Sequence, residues 1–238
     1  MTGYEAFLLT NQSVPIEPAA TIVVLQDSPQ GPKVLMQQRN PDAAFVGGAW
    51  VFPGGKLDPH DRDDRWMQRC DLCPEGANRM LELDQHAHAY WIAAIRELVE
   101  EAGILVAEGA NGKLAQAAQM HLQQQPSGFI EFCDAHGLQL QTGQLKYLSR
   151  WITPQGNPKR YDTRFFLCPW PQGQEPRQDD HEAINTRWVT PQEALSHFEQ
   201  DEWLLILPTI MTLRQLSGFD SVNALLSALG QAPDRKNQ

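Results

Sequence analysis

The sequence predicts an α/β fold, a mixed sheet with helices on both sides and helical additions near the C-terminus, in one domain over 1–238. Three observations carry this expectation. Thr21-Ile22-Val23-Val24-Leu25 is a continuous apolar run, as expected of a strand buried on both faces. Over residues 87–102, Trp91, Ile92, Ile95, Leu98, Val99 and Ala102 recur at helical spacing and form one apolar stripe. Strand-like and helix-like segments are interspersed along the chain, with no internal repeat.

The elements follow in order. Residues 1–18 read as an entry segment carrying Pro15 and Pro18, and 21–25 as the first strand. Turn chemistry at 27–32 leads to a second strand at Val34-Leu35-Met36. Ala49-Trp50-Val51-Phe52 is a third, stopped by Pro53-Gly54-Gly55. Residues 62–87 are polar, charged and irregular, and read as an insertion. A helix fills 87–102, Gly103 is placed to cap it, and Ile104-Leu105-Val106 reads as a short strand. Two helices are expected in 112–136, with Leu114, Ala118 and Leu122 on one face and the many Gln side chains in solvent. Further strands are expected near 145–152, 161–168 and 184–189. Thr190-Pro191-Gln192-Glu193 is a capping box with Pro at the first helical position. Val222, Leu225, Leu226 and Leu229 before Gly230 give a terminal helix, within a helical C-terminal extension at 208–238.

Composition limits the function classes. With 42% hydrophobic residues and seven Trp, 238 residues can bury a substantial core. A net charge of −10 argues against steered binding to nucleic acid. The start lacks a basic stretch followed by an apolar run, and 203–211 is too short to span a bilayer. No membrane role is expected. Four cysteines in a chain of this length indicate a reducing compartment, and the ending Lys236-Asn237-Gln238 is no peroxisomal address. The expected location is the cytoplasm, and a homodimer stays open. Cys70, Cys73 and His86 have a zinc-like spacing, to be weighed against plain loop thiols.

The most informative segment is Arg96-Glu97-Leu98-Val99-Glu100-Glu101-Ala102-Gly103-Ile104. Glu97, Glu100 and Glu101 stand at i, i+3 and i+4, so they leave one side of the helix. Like charges at that spacing repel by a few tenths of a kcal/mol per pair, roughly. Each also opposes the macrodipole at a helix C-terminus, by about 0.3–1 kcal/mol. A purely structural helix gains nothing from this, whereas a site for hard divalent cations needs oxygen ligands so grouped.

With Gly55 and Asp61, this segment resembles the box of the Nudix hydrolases. In that family an acid follows the glycine, then seven residues, then Arg-Glu, a hydrophobic, any residue, Glu-Glu, any residue, Gly and a hydrophobic. Residues 96–104 match that second half throughout, and Asp61 stands where the family has Glu. Residues 62–95 number 34 against the family's seven, so 27 extra residues interrupt the box. A subgroup resembling the peroxisomal acyl-coenzyme A diphosphatases has such an interruption. The stretch from Phe45 to Gly55, then Trp151-Ile152-Thr153-Pro154, then 160–166, then Asp180, Glu182 and 188–191 are similar to it as well. Of the coenzyme A signature, Leu35, Arg39, Gly48 and 52–55 fall at the right spacing, while Ala44 and Gln37 replace its second Arg and its Thr.

The resemblance implies a Nudix-type α/β/α sandwich that uses Mg²⁺ or Mn²⁺ to hydrolyse a nucleoside diphosphate linked to another moiety. Its preferred substrate is then coenzyme A or acyl-coenzyme A; ADP-ribose, NADH and dinucleotides are alternatives, as is a sensing module without catalysis. Glu97, Glu100 and Glu101 are the expected metal ligands. Arg96 orients a carboxylate. The general base is a box Glu (Glu97 or Glu100) or Glu182 on a later loop. Arg39, Gly55 and Arg160 are expected at the small-molecule nucleotide substrate, with Lys159 and Arg164 as further cations. Trp151 or Phe45 would stack on an adenine or line an acyl groove. The insertion is expected beside the site, shaping its entrance.

Overall fold

Side-chain alternation along the first strand decides the architecture. In β1 (Ile16–Gln26) Ala20, Ile22 and Val24 join one apolar cluster, while Val23 and Leu25 join another. All five are essentially free of solvent. A strand with two buried faces needs a covering layer on each.

The computed structural model describes residues 14–43, 46–179 and 183–230. In chain order, β2 (Lys33–Arg39), β3 (Trp50–Val51) and β4 (Gly54–Lys56) follow β1. Then come α1 (Pro74–Leu81), α2 (His88–Ala102), α3 (Gly112–Gln124) and α4 (Phe129–Ala135). β5 (Lys146–Ile152), β6 (Arg160–Pro169), β7 (Ala183–Val189), α5 (Pro191–Glu199), α6 (Leu207–Leu216) and α7 (Val222–Gly230) complete the order. The sheet runs β3-β2-β1-β6-β5, with β4 also paired to β1 and β7 to β2. β1 and β6 are parallel and the other pairs antiparallel, so the sheet is mixed as expected. The cluster containing Ile22 and Phe166 takes in α1–α4; the one containing Val23 and Phe165 takes in residues of α5, α6 and α7. No described helix is long and apolar enough to cross a membrane.

The capping box is present: Thr190 Oγ1 accepts from Glu193 N–H, and a Glu193 carboxylate oxygen accepts from Thr190 N–H. Gly103 caps α2 in the left-handed conformation, at φ 61°. The structure departs from expectation elsewhere. Pro53-Gly54-Gly55 does not simply stop a strand, because Gly54–Lys56 pairs with Ala19, Ala20 and Thr21 of β1. Ile104-Leu105-Val106 is buried but forms no strand. The side-chain amide of buried Gln174 takes both backbone groups of Leu105, at 2.9 and 2.8 Å, in place of a strand partner. Gln119 departs from the solvated Gln surface, since it is buried.

The insertion differs most. Two 3₁₀ turns, Pro59–Arg62 and Asp64–Gln68, precede α1 and are capped by Asp58 and Asp63. Trp66 is 1% exposed and packs on Phe129 at 5.3 Å between ring centroids, while its indole N–H donates to His60 O at 3.0 Å. Ala77 and Leu81 join the same cluster. Arg65 and Arg69 pair with Asp134 of α4, and Asp71 accepts from Thr142 Oγ1 and Gly143 N–H. The segment thus helps to cover α2, of which only Glu100 escapes burial. The stripe read from the sequence accounts for one face of a helix that is enclosed almost all round. Residues 231–238 of the expected extension lie outside the described residues.

If the insertion is part of the core, Trp66→Ala lowers stability by about 3–5 kcal/mol in urea titration. A loss below about 1 kcal/mol would show that the segment is an appendage.

Candidate active site

The site forms where β4 lies over the C-terminal end of α2. A Cβ added at Gly54 would meet Ala20 O at 2.4 Å, and one at Gly55 would meet a Glu97 carboxylate oxygen at 2.5 Å. Only glycine lets the strand approach so closely. Gly54 N–H in turn donates to a Glu101 carboxylate oxygen at 3.0 Å. The glycine pair and the acidic helix end therefore meet despite the long segment between them.

Arg96 joins the two halves. Its Nε and Nη2 each donate to Asp61 at 3.0 Å, one to either carboxylate oxygen. Nη1 donates to Glu97 at 2.7 Å and to Glu100 at 2.9 Å, and Nη2 also reaches Lys56 O at 2.8 Å. These contacts use all five guanidinium N–H groups. Burial works against the Arg96 charge, but Glu97 and Asp61 outweigh it and push its pKa up. Burial pushes the Asp61 carboxyl up, against the pull of Arg96 and of the Asp58 N–H. The Asp61 side chain is almost entirely shielded, so its two oxygens rely on these donors.

The last carbonyls of α2, which no intrahelical donor reaches, are taken from outside. Gln119 Nε2 donates to Glu100 O at 3.0 Å, and Gln37 Nε2 to Glu101 O at 2.9 Å. The backbone N–H groups of Asp179 and Arg177 donate to Glu101 O and Ala102 O. Gln119 also donates to Arg177 O at 3.0 Å, tying α3 and residues 177–179 to the acidic helix end.

A cleft of about 1270 Å³ opens beside this point. Arg39, Gly54, Gly55, Arg96, Glu97 and Glu101 line one part of it; Trp151, Lys159, Tyr161 and Leu207 line another. The Arg39 Nε is buried with no hydrogen-bond partner among the described residues, which suits a group awaiting an anion. Glu100 points to Arg96 at the edge of the same cluster. Arg160 is not among the cleft-lining residues: its Nε donates to Thr153 O at 3.0 Å, which fastens the β5–β6 hairpin, while its neighbours Lys159 and Tyr161 face the cleft. Arg164 is buried on the opposite side of the sheet, paired to Asp162 and beneath Tyr90. Glu182, Asp180, Phe45 and Ala44 lie outside the described residues. None of the cleft lining comes from 62–87, so the insertion supports α2 from behind and does not shape the entrance.

Glu97, Glu100 and Glu101 offer oxygen ligands alone, the donor chemistry of Mg²⁺ or Mn²⁺. Among the described residues no three His, Cys, Asp or Glu side chains converge as a metal-binding group. Arg96 draws Glu97 and Glu100 toward itself, and Gly54 N–H holds Glu101. The donor set fits a hard divalent cation in chemistry. Cys70, Cys73 and His86 form no such group either: Cys73 Sγ donates to Glu75, and burial pushes the Cys70 thiol up, the behaviour of loop thiols. Sequence reasoning missed Gln119 and the role of Gln37. The available signal was a polar Gln119 between Ala115, Ala118 and Leu122 on the buried face of α3.

A mixed sheet between helical layers, with an Arg-Glu-x-x-Glu-Glu helix end under a Gly-Gly strand, defines a Nudix fold. The model of the NUDT19 Nudix domain matches residues 75–216, more than half of the chain, and the chain belongs to that family. It is 31% identical over 247 residues to the acyl-coenzyme A diphosphatase NUDT19 of Gallus gallus, covering 83% of this chain and 65% of that protein. The human protein of the same description is 29% identical, covering 82% and 63%. The chain thus spans just under two thirds of the length of these relatives. Among solved structures it is similar to a Nudix hydrolase from Alicyclobacillus acidocaldarius, with a TM-score of 0.76 and 29% identity over 90% of this chain and 96% of the other.

Gln119→Leu keeps the volume of the side chain and removes both donors. It is expected to cost about 1–3 kcal/mol in thermal or urea unfolding, because buried carbonyls lose their partners. A neutral result would mean that Glu100 O and Arg177 O find other donors.

Proposed function

We propose that this chain, as one Nudix unit over 1–238, hydrolyses the phosphoanhydride of a nucleoside diphosphate linked to another moiety. Coenzyme A or acyl-coenzyme A is the preferred substrate, cut to 3′,5′-ADP and a phosphopantetheine. The observation that carries this reading is the acidic helix end pressed against Gly54 and Gly55 at the wall of a large cleft. Relatives named acyl-coenzyme A diphosphatases support the substrate class.

Mg²⁺ or Mn²⁺ held by Glu97, Glu100 and Glu101 would neutralise diphosphate charge and raise the acidity of an attacking water. The chain's own residues supply the rest. Arg96 fixes the directions of Glu97 and Glu100 and lowers the repulsion between them. Gly55 leaves space for the Glu97 carboxylate, so a peptide plane rather than a side chain faces the phosphates. Arg39 presents an N–H to a phosphate oxygen in the same part of the cleft. The proton of the attacking water passes to a carboxylate, Glu97 or Glu100 of the box or Glu182 beyond it. Retention of all three box Glu favours catalysis over a sensing role, which would not need them.

The test is a hydrolysis panel with product identification, run with Mg²⁺ or Mn²⁺ and again in EDTA. The panel holds coenzyme A, octanoyl-coenzyme A, ADP-ribose, NADH and diadenosine tetraphosphate. The proposal expects metal-dependent release of 3′,5′-ADP from the coenzyme A compounds at the highest kcat/KM. ADP-ribose as the best substrate would overturn the substrate class, and no cleavage at all would favour a sensor. Glu97→Gln and Glu100→Gln are each expected to lower kcat by about 10²–10⁴-fold. Glu182→Gln separates the candidate bases: a comparable loss places Glu182 in the mechanism, and near wild-type turnover leaves the base in the box. Gly55→Ala is expected to lower kcat by at least about tenfold while the protein stays folded by circular dichroism, because its Cβ displaces Glu97.

A further inference from the structure

The cleft floor is a row of residues in register across four strands. Lys56 of β4 pairs with Ala19 of β1, Ala19 with Thr163 of β6, and Thr163 with Trp151 of β5. Directly paired residues share a face of the sheet, and all four line the cleft. Three strand spacings put the Trp151 end about 14 Å from the glycine strand. Ala19 and Thr163 are the small residues between, so the floor is a trough with the acidic site at one end and an indole at the other.

The wall that α6 puts beside that indole is aliphatic, while Lys159 and Tyr161 stand on the hairpin side. On the α6 side Leu207, 61% exposed, lines the cleft with Ile206 and Pro208, and Pro154 joins them from the hairpin. Met211, 40% exposed, stands one turn beyond Leu207 on the same side of α6, so the apolar surface continues out of the cleft. Two polar side chains of the hairpin are used within it: Thr153 Oγ1 accepts from Tyr161 N–H, and Asn157 Nδ2 donates to Pro154 O. A nucleobase set against the α6 wall would leave ring nitrogens and its amino group unpaired. An alkyl chain has nothing to leave unpaired. The cleft volume, about 1270 Å³, is also larger than the roughly 300–1,000 Å³ usual for small-ligand pockets, which suits an elongated ligand.

We propose that Trp151, Leu207 and Met211 form the seat for the acyl chain of the substrate, and that Leu207 sets chain-length preference. This rests on the reading of the site as an acyl-coenzyme A hydrolase. The diphosphate lies at Gly54–Gly55, the pantetheine arm follows the trough over Ala19 and Thr163, and the alkyl chain crosses Trp151 onto α6. The nucleoside end leaves in the other direction.

The test uses the full chain with coenzyme A, acetyl-, butyryl- and octanoyl-coenzyme A. Dissociation constants are measured by calorimetry in EDTA, where no turnover occurs, and kcat/KM with Mn²⁺. Full burial of a CH₂ corresponds to about fourfold in affinity, and a groove open on one side to about twofold. Octanoyl-coenzyme A is therefore expected to bind at least about tenfold more tightly than acetyl-coenzyme A. In Leu207→Ser the octanoyl-to-acetyl ratio falls at least about threefold in both Kd and kcat/KM, chiefly through KM. Met80→Ser, which alters an exposed apolar side chain on α1, leaves both ratios unchanged. Absence of chain-length dependence, or a Leu207→Ser ratio equal to wild type, would overturn the seat. Chain-length-dependent binding without hydrolysis would uphold the seat and overturn the hydrolase reading; ADP-ribose cleavage with no octanoyl-coenzyme A binding would overturn the seat and the coenzyme A substrate class while upholding a hydrolase.

Discussion

One guanidinium holds the site together. Arg96 meets Asp61, Glu97, Glu100 and the Lys56 carbonyl, and so joins β4, the turn after it and the end of α2. Four carboxylates, Asp61, Glu97, Glu100 and Glu101, stand within reach of this single cation or of the strand it anchors. Without it, α2 would end in like charges at i, i+3 and i+4, against its own macrodipole. The planar fork matters because Asp61 is gripped through both oxygens, a geometry an ammonium cannot reproduce. A buried ion pair of this kind is poor evidence for added stability, but removing one member leaves the others uncompensated. In the proposed mechanism it orients the metal ligands.

The sheet places that device at a cleft. Because β1 is buried on both faces, α2 and its neighbours occupy one side of the sheet while α5–α7 occupy the other. The acidic end of α2 reaches the cleft only at β4, where two glycines let the backbone pass. Non-local side-chain amides then stop the helix from fraying: Gln37 and Gln119 take carbonyls that a helix end would otherwise present to water. The same β1 row that supports Lys56 continues through Thr163 to Trp151, so one sheet joins the polar and apolar parts of the cleft.

Much of this was legible because it is local. An unbroken apolar run located β1 and helical periodicity located α2, Gly103 marked the end of α2, Thr190 and Glu193 marked the start of α5, and the acid spacing marked the candidate site. The family resemblance put Gly55 and the acidic helix end in one box despite the interruption, but did not show the direct approach of Gly55 to Glu97. What was illegible is non-local. Trp66 sits among Asp and Arg residues, and nothing nearby shows that it packs on Phe129. Ile104-Leu105-Val106 has the composition of a strand, and only Gln174, far along the chain, shows that its hydrogen bonds go elsewhere. Arg160 and Lys159 differ in role because neighbouring residues in a hairpin point to opposite sides, a parity the sequence leaves open without the register.

The account depends on Arg96 and Asp61 acting as one unit across the interrupting segment. A double-mutant cycle with Arg96→Gln and Asp61→Asn, read by urea unfolding, measures this directly. The account predicts that each single substitution destabilises by about 3–5 kcal/mol and that the double substitution falls well short of their sum, with a coupling of at least about 2 kcal/mol. Additive losses, with coupling within about 0.5 kcal/mol of zero, would show that the two side chains do not depend on one another.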